Sequence, residues 1–226
     1  MILAAGRGER MRPLSDATPK PLLEAGGKAL IVWQLERLAS AGFTEIVINV
    51  AHGAEAIESA LGNGTRFGTA IRYSREPEAL EVAGGIATAL ALLGDGVVLV
   101  VSGDLYTEYD YAALVDRARA MAARLAPPHA HMVMVPNPAY HPRGDFALVD
   151  GHLSLEGAAL STFGNIALYR TSLFRELPRG EKLQMLPLYR DWIRRGWVSA
   201  ELHSGAWANV GTPGDLAALD TALRFA

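Results

Sequence analysis

Apolar stretches and helix-like stretches alternate along most of the chain. Residues 97–101 are apolar without interruption, which is expected of a strand that is buried on both faces of a parallel sheet. Residues 29–41 repeat leucine and isoleucine at helical spacing, and Gly42 is a typical residue for ending a helix. This alternation predicts the α/β class, and within it a Rossmann-like three-layer sandwich with a mixed central sheet.

The same patterns predict elements over the rest of the chain. Strands are expected at residues 46–50, 71–73, 97–101, 132–135, 146–149, 152–155 and 164–169. Helices are expected at residues 29–41, 54–61, 84–93, 112–125 and 183–195, with a last one from Pro213. Pro127-Pro128 is the only linker-like break, and it is too short to separate two domains. Residues 1–226 are therefore expected to form a single domain.

Composition excludes several classes of protein. The chain has 226 residues, of which 50% are hydrophobic and 20% charged, so a soluble globular protein with an ample core is expected. Cysteine is absent, which excludes disulfides and thiol catalysis and fits a cytoplasmic location. A net charge of −3 gives no nucleic-acid footprint, and no apolar stretch approaches the roughly 18 residues of a membrane span. We expect a monomer or small homo-oligomer with no nucleic-acid or membrane partner, and no secretory signal.

A turn of small residues at positions 4–8 directly follows a short apolar strand. Its backbone N–H groups can surround an anion closely, because few Cβ atoms keep the anion away. Positive charge is concentrated in and after this turn, although the whole chain is negative, on Arg7, Arg10, Arg12 and Lys20. The segment therefore predicts a nucleotide site whose phosphates are cradled by Ala4, Ala5, Gly6 and Gly8.

Two common phosphate loops do not fit this segment. The dinucleotide fingerprint requires a third glycine where this chain has Met11, and the P-loop requires a Gly-Lys-Ser/Thr sequence that is absent here. Pro13, Pro19 and Pro21 argue against a helix directly after the turn, because proline disfavours helical structure at and before its own position. A long ordered loop that runs back over a bound ligand is therefore expected.

Asp104 follows the apolar strand at residues 97–101, at its carboxyl end. Open α/β sheets bind their ligands at that end of the strands. A nucleoside triphosphate is accompanied by a divalent cation, and Mg²⁺ prefers carboxylate, phosphate and water oxygens. Asp104 is therefore the expected Mg²⁺ ligand, whereas an isolated Gly-Asp would more often be a turn or helix cap.

Four ordered motifs closely resemble the sugar-1-phosphate nucleotidyltransferases. Residues 3–14 read Leu-Ala-Ala-Gly-Arg-Gly-Glu-Arg-Met-Arg-Pro-Leu and are followed by Pro19-Lys20-Pro21, as in the signature of that family. The similarity continues at residues 81–85, 102–104 and 207–213, so it extends over nearly the whole chain. The resemblance implies a Mg²⁺-dependent enzyme of the nucleotide-diphospho-sugar transferase fold that joins a nucleoside triphosphate to a sugar 1-phosphate.

The resemblance also implies roles for individual residues. Arg10 would neutralise the departing phosphates, and Lys20 would lie at the α-phosphate or the incoming phosphate, so these two are the expected catalytic residues. Ala83 and Gly84 would contact the nucleobase. The second metal ligand would be Asn209, where related enzymes usually have aspartate and the N-acetylglucosamine-1-phosphate uridylyltransferase branch similarly has asparagine. A weakened or regulatory paralogue therefore stays open beside the active enzyme.

The sugar is expected on the proline-, glycine- and histidine-rich side of the chain. Asp145 and Asn165 lie in segments that resemble the sugar pocket of short bacterial members, and Lys182 could meet a phosphate or carboxylate. A turn aspartate, a strand-edge asparagine and an exposed lysine are the structural alternatives.

The motifs most resemble the branch that transfers UMP from UTP to N-acetylmuramate 1-phosphate in bacterial cell-wall recycling. Arg143 or Lys182 could then bind the lactyl carboxylate of that sugar. A mannose-1-phosphate guanylyltransferase is the alternative, since motifs separate the short members poorly.

Overall fold

The computed structural model describes residues 1–225. Its strands are β1 (Ile2–Leu3), β2 (Glu24–Ala25), β3 (Lys28–Ala29), β4 (Glu45–Val50), β5 (Ala70–Arg75), β6 (Val97–Ser102), β7 (Leu105–Thr107), β8 (Ala130–Val135), β9 (Ala147–Val149), β10 (His152–Ser154), β11 (Thr162–Arg170), β12 (Val198–Leu202) and β13 (Trp207–Asn209). Its α-helices are α1 (Leu14–Ala17), α2 (Leu30–Ser40), α3 (Ala54–Leu61), α4 (Glu81–Leu93), α5 (Ala112–Ala123), α6 (Leu186–Arg194) and α7 (Pro213–Arg224). Short 3₁₀ turns lie at Glu9–Met11, Lys20–Leu22, Thr65–Phe67 and Thr171–Phe174. Every helix within this range is too short or too polar to cross a lipid bilayer.

A nine-stranded mixed sheet forms the centre of the molecule, in the order β5-β4-β1-β6-β11-β8-β12-β10-β9. β1 runs parallel to β4 and to β6, and β5 runs parallel to β4. β11 is inserted antiparallel between β6 and β8. The predicted α/β fold with a mixed central sheet is confirmed.

The alternation of side chains along the strands divides the core between the two faces of the sheet. Val47 and Val100 point to one face, where they join a cluster with residues of α4 and α6. Ile48 and Val101 point to the other face, where α2, α3 and α5 contribute the apolar partners. Because each strand supplies alternate residues to both clusters, the central strands are apolar on both faces, as the uninterrupted run at residues 97–101 predicted.

Two features of the chain differ from the sequence-based expectation. The segment after the small-residue turn is not one continuous loop, since it contains a 3₁₀ turn at Glu9–Met11 and the single-turn helix α1. Pro13 directly precedes α1. Proline is tolerated there because an N–H group at the start of a helix has no partner within the helix, so its absence costs no hydrogen bond. Helix α4 begins at Glu81 rather than at Gly84, and Glu81 itself has a left-handed backbone (φ 61°).

Candidate active site

A cavity of about 490 Å³ opens at the carboxyl ends of β1, β4 and β6. One wall is the small-residue turn with Arg7 and Arg10, and another is the segment at residues 79–82. Lys20 and Asp104 also line the cavity. The predicted phosphate-binding turn and the predicted metal ligand therefore meet in one cavity, at the place where open α/β sheets bind ligands.

The turn is held in place by contacts that small residues permit. Gly8 has a left-handed backbone (φ 66°), and a Cβ added there would lie 3.0 Å from the Cβ of Lys20. The Ser15 hydroxyl donates a hydrogen bond of 2.8 Å to the Gly8 carbonyl. Gly6 instead faces open space, with no atom within 4 Å of an added Cβ. Gly8 therefore allows close packing against the Lys20 stem, while Gly6 leaves space for a ligand.

Lys20 and Asp104 form an ion pair, with side chains that are 12% and 24% exposed. Asp104 is brought there because Gly103 packs tightly on β1, where its N–H donates to the Leu3 carbonyl at 2.9 Å and an added Cβ would lie 3.0 Å from the same oxygen. The predicted catalytic lysine and the predicted metal ligand are thus neighbours. The ammonium group neutralises a carboxylate that would otherwise be isolated in a partly buried site.

Asn209 reaches the same region through the pairing of β13 with β7. Asn209 lies opposite Leu105, and the Val210 N–H donates a 3.0 Å hydrogen bond to the carbonyl of Asp104. The two predicted metal ligands are therefore adjacent, although more than a hundred residues separate them in the sequence. Within the described range there is no cluster of three or more acidic, histidine or cysteine side chains that could hold a metal on its own.

Tyr140 is a residue at this site that the sequence did not suggest. It is 60% exposed, and its side chain lies near the Asn209 side chain. Partial burial raises the pKa of the Tyr140 hydroxyl, and the nearby Asn209 side chain opposes that rise. The loop that carries Tyr140, which belongs to the segment predicted to bind the sugar, therefore comes close to the predicted metal ligand Asn209.

Arg10 lies beside Gly211, where a Cβ would approach its guanidinium nitrogens to 3.5 Å. The guanidinium is exposed on the wall of the cavity, and the buried Met11 next to it anchors the segment in a small apolar cluster. Arg10, Lys20 and Asp104 thus line one cavity, and Asn209 lies beside Asp104. Their catalytic and metal-binding roles stay predictions.

Ala83 and Gly84 do not line the cavity, contrary to the expectation that they face the nucleobase. Both are buried inside α4, and their N–H groups donate to the carbonyl of Leu183 at 3.1 and 3.4 Å. A Cβ at Gly84 would lie 2.1 Å from the carbonyl oxygen of Glu181, so this glycine lets another backbone segment pack on the helix. The cavity wall is formed instead by the preceding residues, Leu80, Glu81 and Val82.

The three predicted sugar-binding residues lie outside the lining of this cavity. Asp145 accepts a 2.8 Å hydrogen bond from the Phe163 N–H and contacts His141 at 3.0 Å. Asn165 is half-buried and left-handed (φ 57°) at an irregularity of β11. Lys182 is an exposed partner of Glu78. Their roles in sugar binding stay predictions.

Comparison with known proteins adds independent findings. The sequence profile named Nucleotidyl transferase matches residues 1–138. The chain is 47% identical over 216 residues to an N-acetylmuramate alpha-1-phosphate uridylyltransferase of Neisseria meningitidis serogroup B, covering 94% of this chain and 92% of that relative. A protein of the same name from Caulobacter vibrioides is 34% identical over 225 residues, covering 94% of this chain and 91% of its own.

The fold is also similar to a crystal structure of a Bacillus anthracis protein that was provisionally assigned as a glucose-1-phosphate thymidylyltransferase. The TM-score is 0.86, with 99% of this chain and 94% of that chain covered. The sequence identity is 22%, so this likeness concerns the fold alone.

Proposed function

This chain belongs to the nucleotidyl transferase family, and we propose that it transfers UMP from UTP to N-acetylmuramate 1-phosphate, giving UDP-N-acetylmuramate and pyrophosphate. The observation that carries the proposal is the meeting of the phosphate-binding turn, Lys20 and Asp104 in one cavity. The choice of UTP and of N-acetylmuramate 1-phosphate is supported by the relative of that name that is 47% identical over 94% of this chain.

The donor groups around Asp104 fit Mg²⁺. The Asp104 carboxylate and the Asn209 amide supply oxygens, which are the ligands that Mg²⁺ prefers, and the remaining positions would be filled by substrate phosphates and water. When bound, the ion would neutralise phosphate charge. Asn209 contributes no negative charge, so a larger share of the binding would depend on Asp104 and the phosphates.

The reaction needs little covalent assistance from the protein. A phosphate oxygen of the sugar 1-phosphate attacks the α-phosphorus of UTP, a new phosphorus–oxygen bond forms, and the bond to the departing pyrophosphate oxygen breaks. The attacking oxygen is already anionic, so no strong base is required, and the main work is to hold several anions together in line. Lys20 lies where it can neutralise the α- and incoming phosphates, and Arg10 lies on the turn side, where it can neutralise the pyrophosphate.

Two other functions remain distinguishable by experiment. A mannose-1-phosphate guanylyltransferase would use the same chemistry with GTP, but relatives of that name match this chain at lower identity. A regulatory sugar-nucleotide-binding protein is suggested only by Asn209. The direct test is pyrophosphate release with UTP and GTP, each combined with the 1-phosphates of N-acetylmuramate, N-acetylglucosamine and mannose. Turnover limited to UTP and N-acetylmuramate 1-phosphate is expected, while nucleotide binding without any turnover would favour the regulatory protein.

N-acetylmuramate differs from N-acetylglucosamine by a lactyl group that ends in a carboxylate. Arg143 is on the same loop as Tyr140, which lies near the Asn209 side chain, whereas Lys182 is already paired with Glu78. We therefore expect Arg143→Ala to raise KM for N-acetylmuramate 1-phosphate about tenfold, as for the loss of one charged hydrogen bond. KM for N-acetylglucosamine 1-phosphate should stay the same. An equal rise for both sugars would contradict this assignment.

A further inference from the structure

Two buried polar side chains connect the phosphate-binding turn to the cavity wall at residues 79–82. Asn49 is on β4 and is 3% exposed, and Glu76 directly follows β5 and is 6% exposed. Both line the cavity. A buried carboxylate that lies this close to a site for an anionic ligand requires an explanation, because its charge opposes ligand binding.

A continuous series of hydrogen bonds runs through this pair. The N–H of Ala4, in the turn, donates to Oδ1 of Asn49 at 3.0 Å. Nδ2 of Asn49 donates to Oε1 of Glu76 at 2.8 Å, and the N–H of Leu80 donates to Oε2 of Glu76 at 3.0 Å. The series therefore begins in the phosphate half of the cavity and ends in the wall at residues 79–82.

The order of donors and acceptors explains why one member must be a carboxylate. Both ends of the series are backbone N–H groups, of Ala4 and Leu80, which can only donate. An amide side chain supplies one acceptor and one donor, so two amides in the middle would leave one donor facing another donor. A carboxylate at either position supplies the missing acceptor. Burial raises the pKa of Glu76, and the hydrogen bonds from Asn49 and Leu80 oppose that rise.

The surrounding backbone is arranged around this pair. A Cβ at Gly85 would lie 2.9 Å from Nδ2 of Asn49 and from Oε1 of Glu76, so only glycine leaves the pair enough room. Leu80 is fixed on its other side as well, because its carbonyl accepts a 3.0 Å hydrogen bond from the Leu183 N–H. The next residue, Glu81, is left-handed, which costs a non-glycine residue energy and persists only where its neighbours hold it.

We propose that Asn49 and Glu76 are a positioning pair that fixes the wall at residues 79–82 relative to the phosphate-binding turn. The nucleoside part and the phosphates of one nucleoside triphosphate are then held by a single connected framework. This inference rests on the proposed function, since it assumes that the cavity takes a nucleoside triphosphate. An inorganic polyphosphate does not use the wall at residues 79–82, so its binding does not require the pair to fix that wall.

The test exchanges the carboxylate between the two positions. Glu76→Gln leaves one donor without an acceptor, and Asn49→Asp places two carboxylates against each other. The double variant N49D/E76Q restores a donor for every acceptor along the series. The matched control is Glu58→Gln, since Glu58 pairs with Arg75 at the surface and does not line the cavity.

The dissociation constants of UTP and of inorganic tripolyphosphate are measured by calorimetry with Mg²⁺, together with the unfolding temperature of each variant. Each single variant is expected to weaken UTP binding about tenfold or more, the effect of one buried unsatisfied group. Tripolyphosphate should bind Glu76→Gln no more weakly than the unsubstituted protein, because that variant removes a negative charge, and the double variant should recover most of the UTP affinity.

The outcomes separate this inference from the proposed function. Failure of the unsubstituted protein to bind any nucleotide would contradict the proposed function. Normal UTP binding by both single variants, even with a lowered unfolding temperature, would overturn the positioning role, as would a folded double variant that binds UTP no better than the single ones. If a single variant does not fold, recovery of both folding and UTP binding in the double variant supports the pair.

Discussion

Replacing Lys20 by methionine tests whether the Lys20 ammonium competes with a metal ion for Asp104 and also stabilises the reacting phosphates. The Lys20 ammonium is paired with Asp104, and neither side chain is more than a quarter exposed. Methionine retains most of the apolar stem that packs close to Gly8, so the turn should keep its shape. The substitution therefore removes a charge with little change of packing.

Two effects of opposite direction are expected. Unit charges in contact near a protein surface attract by about 4 kcal/mol at an effective dielectric constant of about 20, and the loss of hydration offsets much of this. A cation that binds Asp104 must displace or share the ammonium, so Mn²⁺ should bind the variant about tenfold more tightly, equivalent to about 1.4 kcal/mol. Turnover should nevertheless fall about 100- to 1,000-fold, because a preorganised cation is lost beside the reacting phosphates.

Both effects are measurable on the same preparations. Free Mn²⁺ is followed by electron paramagnetic resonance without nucleotide, and turnover is followed by pyrophosphate release. Lys28→Met is the matched control, since Lys28 pairs with Glu36 and does not line the cavity. Weaker Mn²⁺ binding in the Lys20 variant, or an unchanged turnover number, would refute the reasoning.

Four further substitutions have defined outcomes. Arg10→Ala should cost about 2–4 kcal/mol of transition-state stabilisation, and an unchanged kcat/KM would remove Arg10 from the reaction. Gly53→Ala would place a Cβ 2.3 Å from the Pro19 ring at φ 67°, so the free energy of unfolding should fall by about 2–4 kcal/mol and kcat/KM should fall too. Gly68 has a similar φ of 72°, but a Cβ added there would meet no atom within 4 Å. Gly68→Ala is therefore the matched control, and denaturant titration should show a smaller loss of the free energy of unfolding, due to the backbone conformation alone. The buried His131, whose Nε2 lies 3.4 Å from the Glu201 carboxylate, and hydrogen bonds from Tyr109 and Arg117 lower the pKa of Glu201 from 4.5 to about 2. The stabilisation by the ionised Glu201 is therefore complete above pH 4.5 and is lost as the pH falls toward 2. Glu201→Gln should therefore lower the free energy of unfolding at pH 7, by at most about 3 kcal/mol, and flatten its pH dependence in that window.

The parts of the fold that were predictable from sequence have a local signal. The apolar run at residues 97–101, the helical spacing at residues 29–41 and the small-residue turn each contain their own evidence. Asp104 could be placed at the site because a strand end marks it. Such patterns depend on neighbours along the chain, so they can be recognised without knowledge of the tertiary structure.

The parts that were not predicted depend on contacts between distant segments. β7 and β13 have three residues each, and they form because the two segments meet, which places Asn209 next to Asp104. Gly84 was expected at the nucleobase, but packing of residues 181–183 on α4 buries it. Asn49 had a weak signal, as a polar residue near the end of an apolar strand, and Glu76 had none, so their connection becomes visible only in three dimensions.

The central claim is tested most directly by identifying the reaction product. The unsubstituted protein is incubated with UTP, N-acetylmuramate 1-phosphate and Mg²⁺, with a matched sample in EDTA, and the products are analysed by ³¹P NMR and mass spectrometry. Formation of UDP-N-acetylmuramate and pyrophosphate in equal amounts, and only with the metal, is the result we predict. Absence of UDP-N-acetylmuramate under conditions in which UTP is bound would contradict the account.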